Sequence, residues 1–463
     1  MRALRFVLCL VILLGPLSVA QAQESGPVYI VAEGDTLTAI AVKFGTSVEA
    51  LVEANGIADP SVLFPGMPLV IPGFEGVSGV LATKEVGFGE TLSSLSQRYG
   101  IAADVLMRLN RLVSPGRIFV GQSLIVPEAE ANALALPEAT MLQVRPGDTA
   151  LEWAARRGLN PWTLRILNHQ VDRLWVEPGA ILATPGGPGP ASGLAAPVEA
   201  VEVTLSPAIQ GRTEEIRLRL TAAATAEGDL GSWRLHFFPA DDRTLVALQG
   251  IHAMAEPGFY DLDIRVHDAE GGELLLAVAQ PLQVVEGGYP NDPPLAVPPQ
   301  TIDPSVTSVE DAQVAAVVAP AGADRLWQGV FNYPVSNYDA FPSRFGSRRS
   351  YNNSGYDYYH AGLDFYYTSL DDQIYAPARG RVVFAGPLTV RGNTTFIDHG
   401  WGVYTGYLHQ SEILASVGDL VEVGQVIGRV GDTGRVTGPH LHWEIWVGGV
   451  PVNPLDWVAT AYP

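Results

Sequence analysis

The chain has 463 residues, 47% hydrophobic and 17% charged, with 49 acidic against 28 basic side chains and a formal net charge of −21. That length exceeds one hydrophobic core and implies three or more domains, and the abundance of Gly (49) and Pro (35) suits a β-rich chain joined by linkers. The acidic balance excludes nucleic acid as a partner, since binding its phosphates demands basic patches.

Residues 1–22 read as a secretory signal peptide: Arg2 and Arg5, an apolar core from Phe6 to Leu14, Gly15-Pro16, then the small-residue end Ala20-Gln21-Ala22. The apolar run is short for a spanning helix. The expectation is therefore a secreted protein, extracellular or periplasmic, with no transmembrane span after cleavage. Cys9, the only cysteine, falls in this segment, so the mature chain uses no disulfide.

Three copies of one pattern follow. Gly34-Asp35-Thr36-Leu37 recurs as Gly89-Glu90-Thr91-Leu92 and Gly147-Asp148-Thr149-Ala150. Each copy has an asparagine 20 residues after its acidic position (Asn55, Asn110, Asn168), a glycine 11 further on (Gly66, Gly121, Gly179), and a closing proline (Pro72, Pro127, Pro185). Identical offsets mark repeats of one folding unit. Each reads as strand, helix, helix, strand. In the first copy Val28 to Val31 is a strand. Asp35 or Thr36 caps a helix burying Leu37, Ile40, Ala41 and Phe44; Ser47 caps a second one burying Val48, Leu51 and Val52; Leu69 to Ile71 returns as a strand.

The pattern resembles the βααβ LysM module, which binds N-acetylglucosamine-containing glycans such as peptidoglycan, over residues 28–72, 84–127 and 142–185. The third copy departs most, with Ala150 for leucine and Asn160-Pro161-Trp162 opening its second helix. The resemblance places glycan contacts at Gly34, Asp35 and Thr36, and at Asn55, Gly56 and Ile57. Small folded spacers without a ligand are the alternative. Peptidoglycan is itself largely anionic, so its binding should rest on shape and hydrogen bonds.

Residues 186–198 are a Gly/Pro linker by composition. Over 199–287, alternating runs at Val201–Leu205, Glu215–Leu220, Ser232–Phe238, Leu245–Gln249, Tyr260–His267 and Leu274–Val285 are separated by turn residues including Gly228 and Gly231. This spacing predicts an immunoglobulin-like β-sandwich. Residues 288–325 form a Pro-rich linker with a short helix at Ser308–Val318; it serves either as plain linker or as a strap across a groove.

From residue 326 to 463 the chain reads as strands: Gln373–Tyr375, Gly380–Ala385, Thr394–Asp398, Val403–His409, Val426–Val430 and His440–Val447. Two motifs stand out, Tyr359-His360-Ala361-Gly362-Leu363-Asp364 and Gly438-Pro439-His440-Leu441-His442-Trp443-Glu444, with Tyr407-Leu408-His409 between them. On a strand His440, His442 and Glu444 share one face, and Leu441, Trp443 and Ile445 the other. Imidazole with carboxylate suits zinc, and three protein ligands leave a position for water. His360, Asp364 and one of the paired histidines could supply the trio, leaving two histidines for proton work. Tyr351, Tyr356, Tyr358, Tyr359, Tyr366 and Tyr367 crowd the first motif as groove walls or core. His399, in an expected turn Asp398-His399-Gly400, reads as structural.

His-x-x-x-Asp followed by His-x-His within Gly438–Glu444 resembles the lysostaphin/LytM-type peptidoglycan metalloendopeptidases. Arg344-Phe345-Gly346, Ala376-Pro377-Ala378-Arg379-Gly380, Asp398-His399-Gly400, Gly424-Gln425-Val426-Ile427-Gly428 and Gly431-Asp432-Thr433-Gly434 match as well. The resemblance covers roughly 327–457 and implies an antiparallel-β metallopeptidase domain. It implies one Zn2+ on His360, Asp364 and His442, with His409 and His440 as the non-ligand catalytic histidines. The implied function is hydrolysis of peptide bonds in the stem or cross-link of peptidoglycan, with the LysM modules gripping its glycan. The alternative is a non-catalytic wall-binding protein or an activator of other wall hydrolases.

Overall fold

The computed structural model describes residues 26–463 except 61–62, 75, 100, 114–117, 129–138, 145–148, 157, 159, 161–163, 165–167, 169–180, 186–193, 271, 337–340 and 367–371. The expected signal peptide, most of the expected 186–198 linker, Tyr367, Gly147, Asp148, Gly179 and much of the second helix expected in the third repeat lie outside these residues. The described chain is mainly β, and none of its helices is long and apolar enough to cross a membrane. It divides into two compact units, one of residues 1–83, 99–113 and 125–133, the other of 84–98, 114–124 and 134–463.

In the first unit the first repeat runs β1 (Val28–Ile30), α1 (Leu37–Phe44), α2 (Val48–Asn55), β2 (Pro68–Val70). Leu37, Ile40, Ala41 and Phe44 are buried, as their spacing requires. Thr36, not Asp35, caps α1, its Oγ1 accepting from Ala39 N at 3.1 Å; Ser47 caps α2 in the same way. The repeated asparagine pins the second helix to the last strand. Asn55 Nδ2 donates to Leu51 O and Val70 O, and its Oδ1 accepts from Val70 N. Asn110 repeats this with Leu106 and Ile125, below α4 (Ala103–Leu109).

Of the second repeat, the second unit holds the last residues of β3 (Val80–Glu85), α3 (Leu92–Tyr99) up to Arg98, and the start of β4 (Ser123–Glu128). Of the third repeat it holds β5 (Ala139–Gln143), α5 (Ala150–Arg156) and β6 (Ile181–Pro185), with β5 and β6 paired antiparallel. Then come β7 (Val198–Val203), β8 (Ala208–Ile209), β9 (Thr213–Leu220), β10 (Ala224–Leu230), β11 (Trp233–His236), β12 (Phe238–Asp241), β13 (Thr244–Gly250), β14 (Gly258–Asp268) and β15 (Leu274–Val285). They form two sheets, ordered β11-β10-β14-β15-β8 and β12-β13-β9-β7. Ile216, Leu218, Leu245 and Ala247 of one sheet share a core with Leu230, Leu262, Ile264, Val266 and Leu276 of the other. Strand β10 was not expected, because its Gly228 reads as a turn. In the fold Gly228 is mid-strand, where a Cβ would collide with the Asp263 carbonyl; the glycine permits close strand approach. The loop of the second repeat lies against this domain: Gly89 N donates to Gln280 Oε1 at 2.6 Å, and Phe88 enters the shared core.

The 288–325 segment is not a free linker. It contains α6 (Pro304–Val318), begun by Asp303, whose Oδ1 accepts from Ser305 N, and by Pro304 in the first turn. Val314 and Val318 are buried with Phe396, Tyr404 and Trp446. Beyond it lie β16 (Arg348–Arg349), β17 (Tyr358–Tyr359), β18 (Leu363–Tyr366), β19 (Gln373–Tyr375), β20 (Gly380–Leu388), β21 (Gly392–Gly400), β22 (Val403–Gln410), β23 (Glu412–Ile413), β24 (Leu420–Val421), β25 (Val426–Arg429), β26 (His440–Val447), β27 (Val450–Val452) and α7 (Pro454–Ala459). The main sheet is ordered β18-β26-β22-β21-β20-β24, with β27 on β26, and β19-β25-β23 form a second sheet. Leu363, Phe365, Leu441, Trp443 and Ile445 face a core closed by Trp327, Phe331 and Trp457. His399 ends β21 rather than sitting in a turn. Its Nδ1 lies 2.8 Å from Arg379 O and its Nε2 2.8 Å from Thr405 Oγ1, and burial lowers its pKa to about 4.

Glu214 on β9 is fully buried; Oε1 accepts from Leu205 N at 2.8 Å, and Oε2 has no partner. Burial pushes this carboxyl from 4.5 up to about 8. The folded state therefore holds a proton that the unfolded state releases above 4.5, so stability is full at acid pH and is lost as pH rises through 8. The loss near pH 7 is roughly 3 kcal/mol. Glu214→Gln should flatten that dependence and raise the melting midpoint at pH 8 over wild type. Calorimetry at pH 5 and 8 checks it; an unchanged or lower midpoint at pH 8 contradicts it.

Candidate metal centre

Strand β26 lies between β18 and β22, and register sets the site. Asp364 stands opposite His442, and so does Leu408 on the other side. Opposed residues of antiparallel strands project to the same face, so Asp364 and His442 meet on the face away from the Leu441–Trp443–Ile445 core. His360, on the short link from β17 to β18, folds over the pair. Gly362 permits this, since a Cβ there would collide with Trp443 O and crowd His442 Nε2. His360 Nε2 lies 3.0 Å from both Asp364 Oδ1 and His442 Nδ1, and His442 Nδ1 lies 2.8 Å from Asp364 Oδ1. All three residues are buried.

The outward nitrogens are anchored. His360 Nδ1 donates to Arg344 O at 3.0 Å, which leaves Nε2 as the inward donor atom. His442 Nε2 donates to Glu444 Oε1 at 3.1 Å, and Glu444 Oε2 accepts from Trp446 Nε1 at 2.8 Å. Two imidazole nitrogens and one carboxylate oxygen converging in a buried spot, each imidazole held from behind by an oxygen acceptor, is the donor chemistry of a zinc site. Burial alone would raise the Asp364 pKa, but His360 and His442 hold it well below the usual carboxylate value.

His409 reaches the same face by a backbone irregularity. The β21–β22 register shifts between Asn393 and Thr395, and His409 adopts φ +65°, a left-handed conformation uncommon outside glycine. In a regular strand His409 would point away from its neighbour Leu408 and from His442. The shift instead sets its ring centroid 5.0 Å from that of His440 and 6.0 Å from that of His442. His409 Nδ1 donates to Thr433 O at 2.8 Å and His440 Nδ1 to Gly438 O at 2.9 Å, which leaves Nε2 of each as the acceptor nitrogen, that of His440 lying 3.8 Å from Asp364 Oδ1. Burial, reinforced by His440 and His442, pushes the His409 pKa down to about 3 and keeps it neutral.

The five histidine and aspartate positions singled out in the sequence thus lie together. Glu444, recognised there only as sharing a face with the histidines, proves to be the partner of His442. The carbonyls of Arg344, Thr433 and Gly438 have no side-chain signature and could not have been foreseen. The tyrosines divide: Tyr359 packs on Phe345 and His252, while Tyr356, Tyr358 and Tyr366 are exposed.

The first repeat's predicted contacts are less available. Asp35 Oδ2 accepts from Tyr29 Oη and Ala32 N, Thr36 caps α1, and Asn55 is spent on Leu51 and Val70. Gly56 ends α2 at φ +58° and Ile57 is half-buried. A ligand there would meet backbone rather than these polar side chains.

Residues 358–454 match peptidase family M23, and residues 29–72 and 85–127 match the LysM domain. The chain carries an M23 peptidase domain and two LysM domains. The third repeat, expected as another LysM module, lies outside the match, consistent with its departures at Ala150 and Asn160-Pro161-Trp162. The M23-bearing chain is 48% identical over 82 residues to peptidoglycan DD-endopeptidase ShyA of Vibrio cholerae serotype O1, covering 18% of this chain and 19% of that protein. It is 46% identical over 83 residues to DD-carboxypeptidase/endopeptidase Mpg of Neisseria meningitidis serogroup B, again 18% of this chain and 19% of the relative. The chain thus spans about a fifth of these relatives. A solved putative peptidase M23 from Pseudomonas aeruginosa aligns with 56% of this chain and 96% of its own at 23% identity and a TM-score of 0.39.

Asp364→Asn removes the only carboxylate among the three converging donors. It should reduce bound zinc from one ion per chain to well below half, measured by elemental analysis after dialysis. Full retention would show that Asp364 is not a ligand.

Proposed function

We propose that the protein is a secreted zinc metalloendopeptidase that hydrolyses peptide bonds of bacterial peptidoglycan and is held to the wall glycan by its LysM modules. The observation that carries this is the convergence of His360, Asp364 and His442 beside the imidazoles of His409 and His440, whose Nδ1 atoms are engaged by backbone carbonyls. The names of the Vibrio and Neisseria relatives, both endopeptidases, support it.

His360, Asp364 and His442 would hold the ion. Bound there, zinc would act as a Lewis acid and would lower the pKa of a water molecule to about 7. The chain's own contribution is proton handling. His409 Nε2 and His440 Nε2 are the acceptors available for the proton of the attacking water, and either, once protonated, can return it to the departing amine. A donor from the same pair can steady the oxyanion formed at the scissile carbonyl. Burial keeps His409 neutral. Glu444 keeps His442 in one tautomer. The exposed Tyr356, Tyr358 and Tyr366 line the approach for an extended peptide.

The remaining assignments belong to the same proposal. Residues 1–22 direct export to the cell envelope. Residues 199–287, with their two packed sheets, form an immunoglobulin-like spacer, and residues 142–185 a divergent third LysM module. Glycan gripping falls mainly to the first repeat, because the corresponding loop of the second is occupied by Gln280.

His409→Ala and His440→Ala should each lower turnover of a defined muropeptide by about 10²–10⁴-fold while zinc stays bound. A chelator should abolish clearing of a peptidoglycan-embedded gel, and added zinc should restore it. Activity surviving in both alanine variants, or clearing indifferent to chelator, overturns the reading. Mass spectrometry of the products identifies the bond cut.

A further inference from the structure

His409 is held in its left-handed conformation by two carbonyls. Its backbone N–H donates to Arg391 O at 3.0 Å, and its Nδ1 to Thr433 O at 2.8 Å. Arg391 lies in the 389–391 turn between β20 and β21, Thr433 in the 430–439 loop before β26. The 389–391 turn closes the β20–β21 hairpin at the Leu388–Gly392 pair, and the 430–439 loop is bridged at Gly431–His440, so the aim of His409 follows the placement of these two segments.

Both loops are gripped from outside by the stretch 299–318, which precedes the family-matched residues. Glu310, on α6, is 4% exposed; its carboxylate accepts from Val390 N at 2.7 Å, Arg391 N at 3.1 Å and the Arg391 guanidinium at 3.0 Å. Arg391 is held again by Asp311 Oδ1 at 3.0 Å. On the other loop, Arg435 donates to Thr301 O at 2.9 Å, its guanidinium lies 4.4 Å over the Tyr351 ring, and its backbone N donates to Val390 O at 2.8 Å. The two loops are also tied directly, with Thr433 Oγ1 accepting from Asn393 N. A buried carboxylate satisfied by three N–H donors on one turn acts as a fixed anchor, since without it the backbone donors of Val390 and Arg391 would lose this acceptor.

We propose that residues 299–318 are a clamp of the active site, in which Glu310 is a positioning residue for His409. The proposal rests on the hydrolase reading for its effect on rate, but not for its effect on structure. It also assigns the segment a role that a passive linker would not have: α6 packs Val314 and Val318 on Phe396, Tyr404 and Trp446, on the sheet face that carries His442 and Glu444.

The test uses the full-length zinc-loaded protein, with Glu310→Ala, Glu310→Gln and Arg435→Met. Glu310→Ala should lower kcat on a muropeptide by about tenfold or more, because misplacing a catalytic group by a fraction of its contact distance costs rate directly. KM should stay within about twofold, since no substrate contact is removed. Glu310→Gln retains one acceptor oxygen and should recover part of the loss. Arg435→Met, which loosens the second loop alone, should give a smaller loss and stands in if Glu310→Ala does not fold. In NMR of histidine-labelled protein, the His409 imidazole signals should shift in these variants while those of His360 and His442 stay in place. Wild-type kcat with unmoved His409 signals in the variants overturns the proposal, as does a loss accompanied by equal disturbance of His360 and His442. Should the wild-type protein cleave nothing, the hydrolase reading fails alone, and the His409 signals still decide the clamp.

Discussion

The site depends on one register. With Asp364 opposite His442 on adjacent antiparallel strands, carboxylate and imidazole are brought to 2.8 Å without either loop having to search for the other. A slip of one residue would turn Asp364 into the Leu441–Trp443–Ile445 core and put Leu363 or Phe365 against the histidines, burying a charge among apolar side chains. The alternation that seals the core therefore also fixes the polar face. Leu363 and Phe365 on one strand and Leu441 and Trp443 on the next are as much determinants of the donor geometry as the donors themselves.

Around that pair, each group is oriented by an acceptor placed behind it: Arg344 O for His360, Glu444 for His442, Thr433 O for His409 and Gly438 O for His440. Three of the four are backbone carbonyls. They fix tautomers without adding charge, so that burial keeps His409 neutral. The one charged acceptor, Glu444, sits behind a donor imidazole, where it raises basicity and is itself tied to Trp446. The division separates groups that would hold a cation from groups that would move a proton.

The rest of the second unit sets up this arrangement at longer range. Helix α6 packs on one face of the main sheet of the M23 domain through Val314 and Val318 and anchors the β20–β21 turn through Glu310. The two-sheet domain takes up Phe88 and the Gly89 backbone of the second repeat. The repeats share an internal scheme, in which an asparagine pins helix to strand, but differ in what covers the loop after the first strand. In the first repeat Gly34 has open space around it, whereas in the second Gly89 lies against Leu194 and Gln280.

Read alone, the sequence determined the elements whose cause is local or periodic. The buried face of α1 follows from apolar spacing, and so does Leu51 of α2, whereas Val48 and Val52 are only half-buried. The strand His440–Val447 and its two faces follow from strict alternation, and the repeats from constant offsets. It also singled out five candidate positions, with the division of their roles resting on the resemblance to the metalloendopeptidases. What it left open depends on contacts between distant segments. Strand β10 hides behind Gly228, whose role is to let Asp263 approach. The choice of Thr36 over Asp35 as cap was settled by Tyr29 and Ala32 competing for Asp35. His409 joins the site only through a bulge and a left-handed backbone that no side-chain pattern encodes. The segment 299–318 reads as linker because its decisive contact, Glu310 with Val390 and Arg391, spans some 80 residues and consists of backbone donors that have no residue signature.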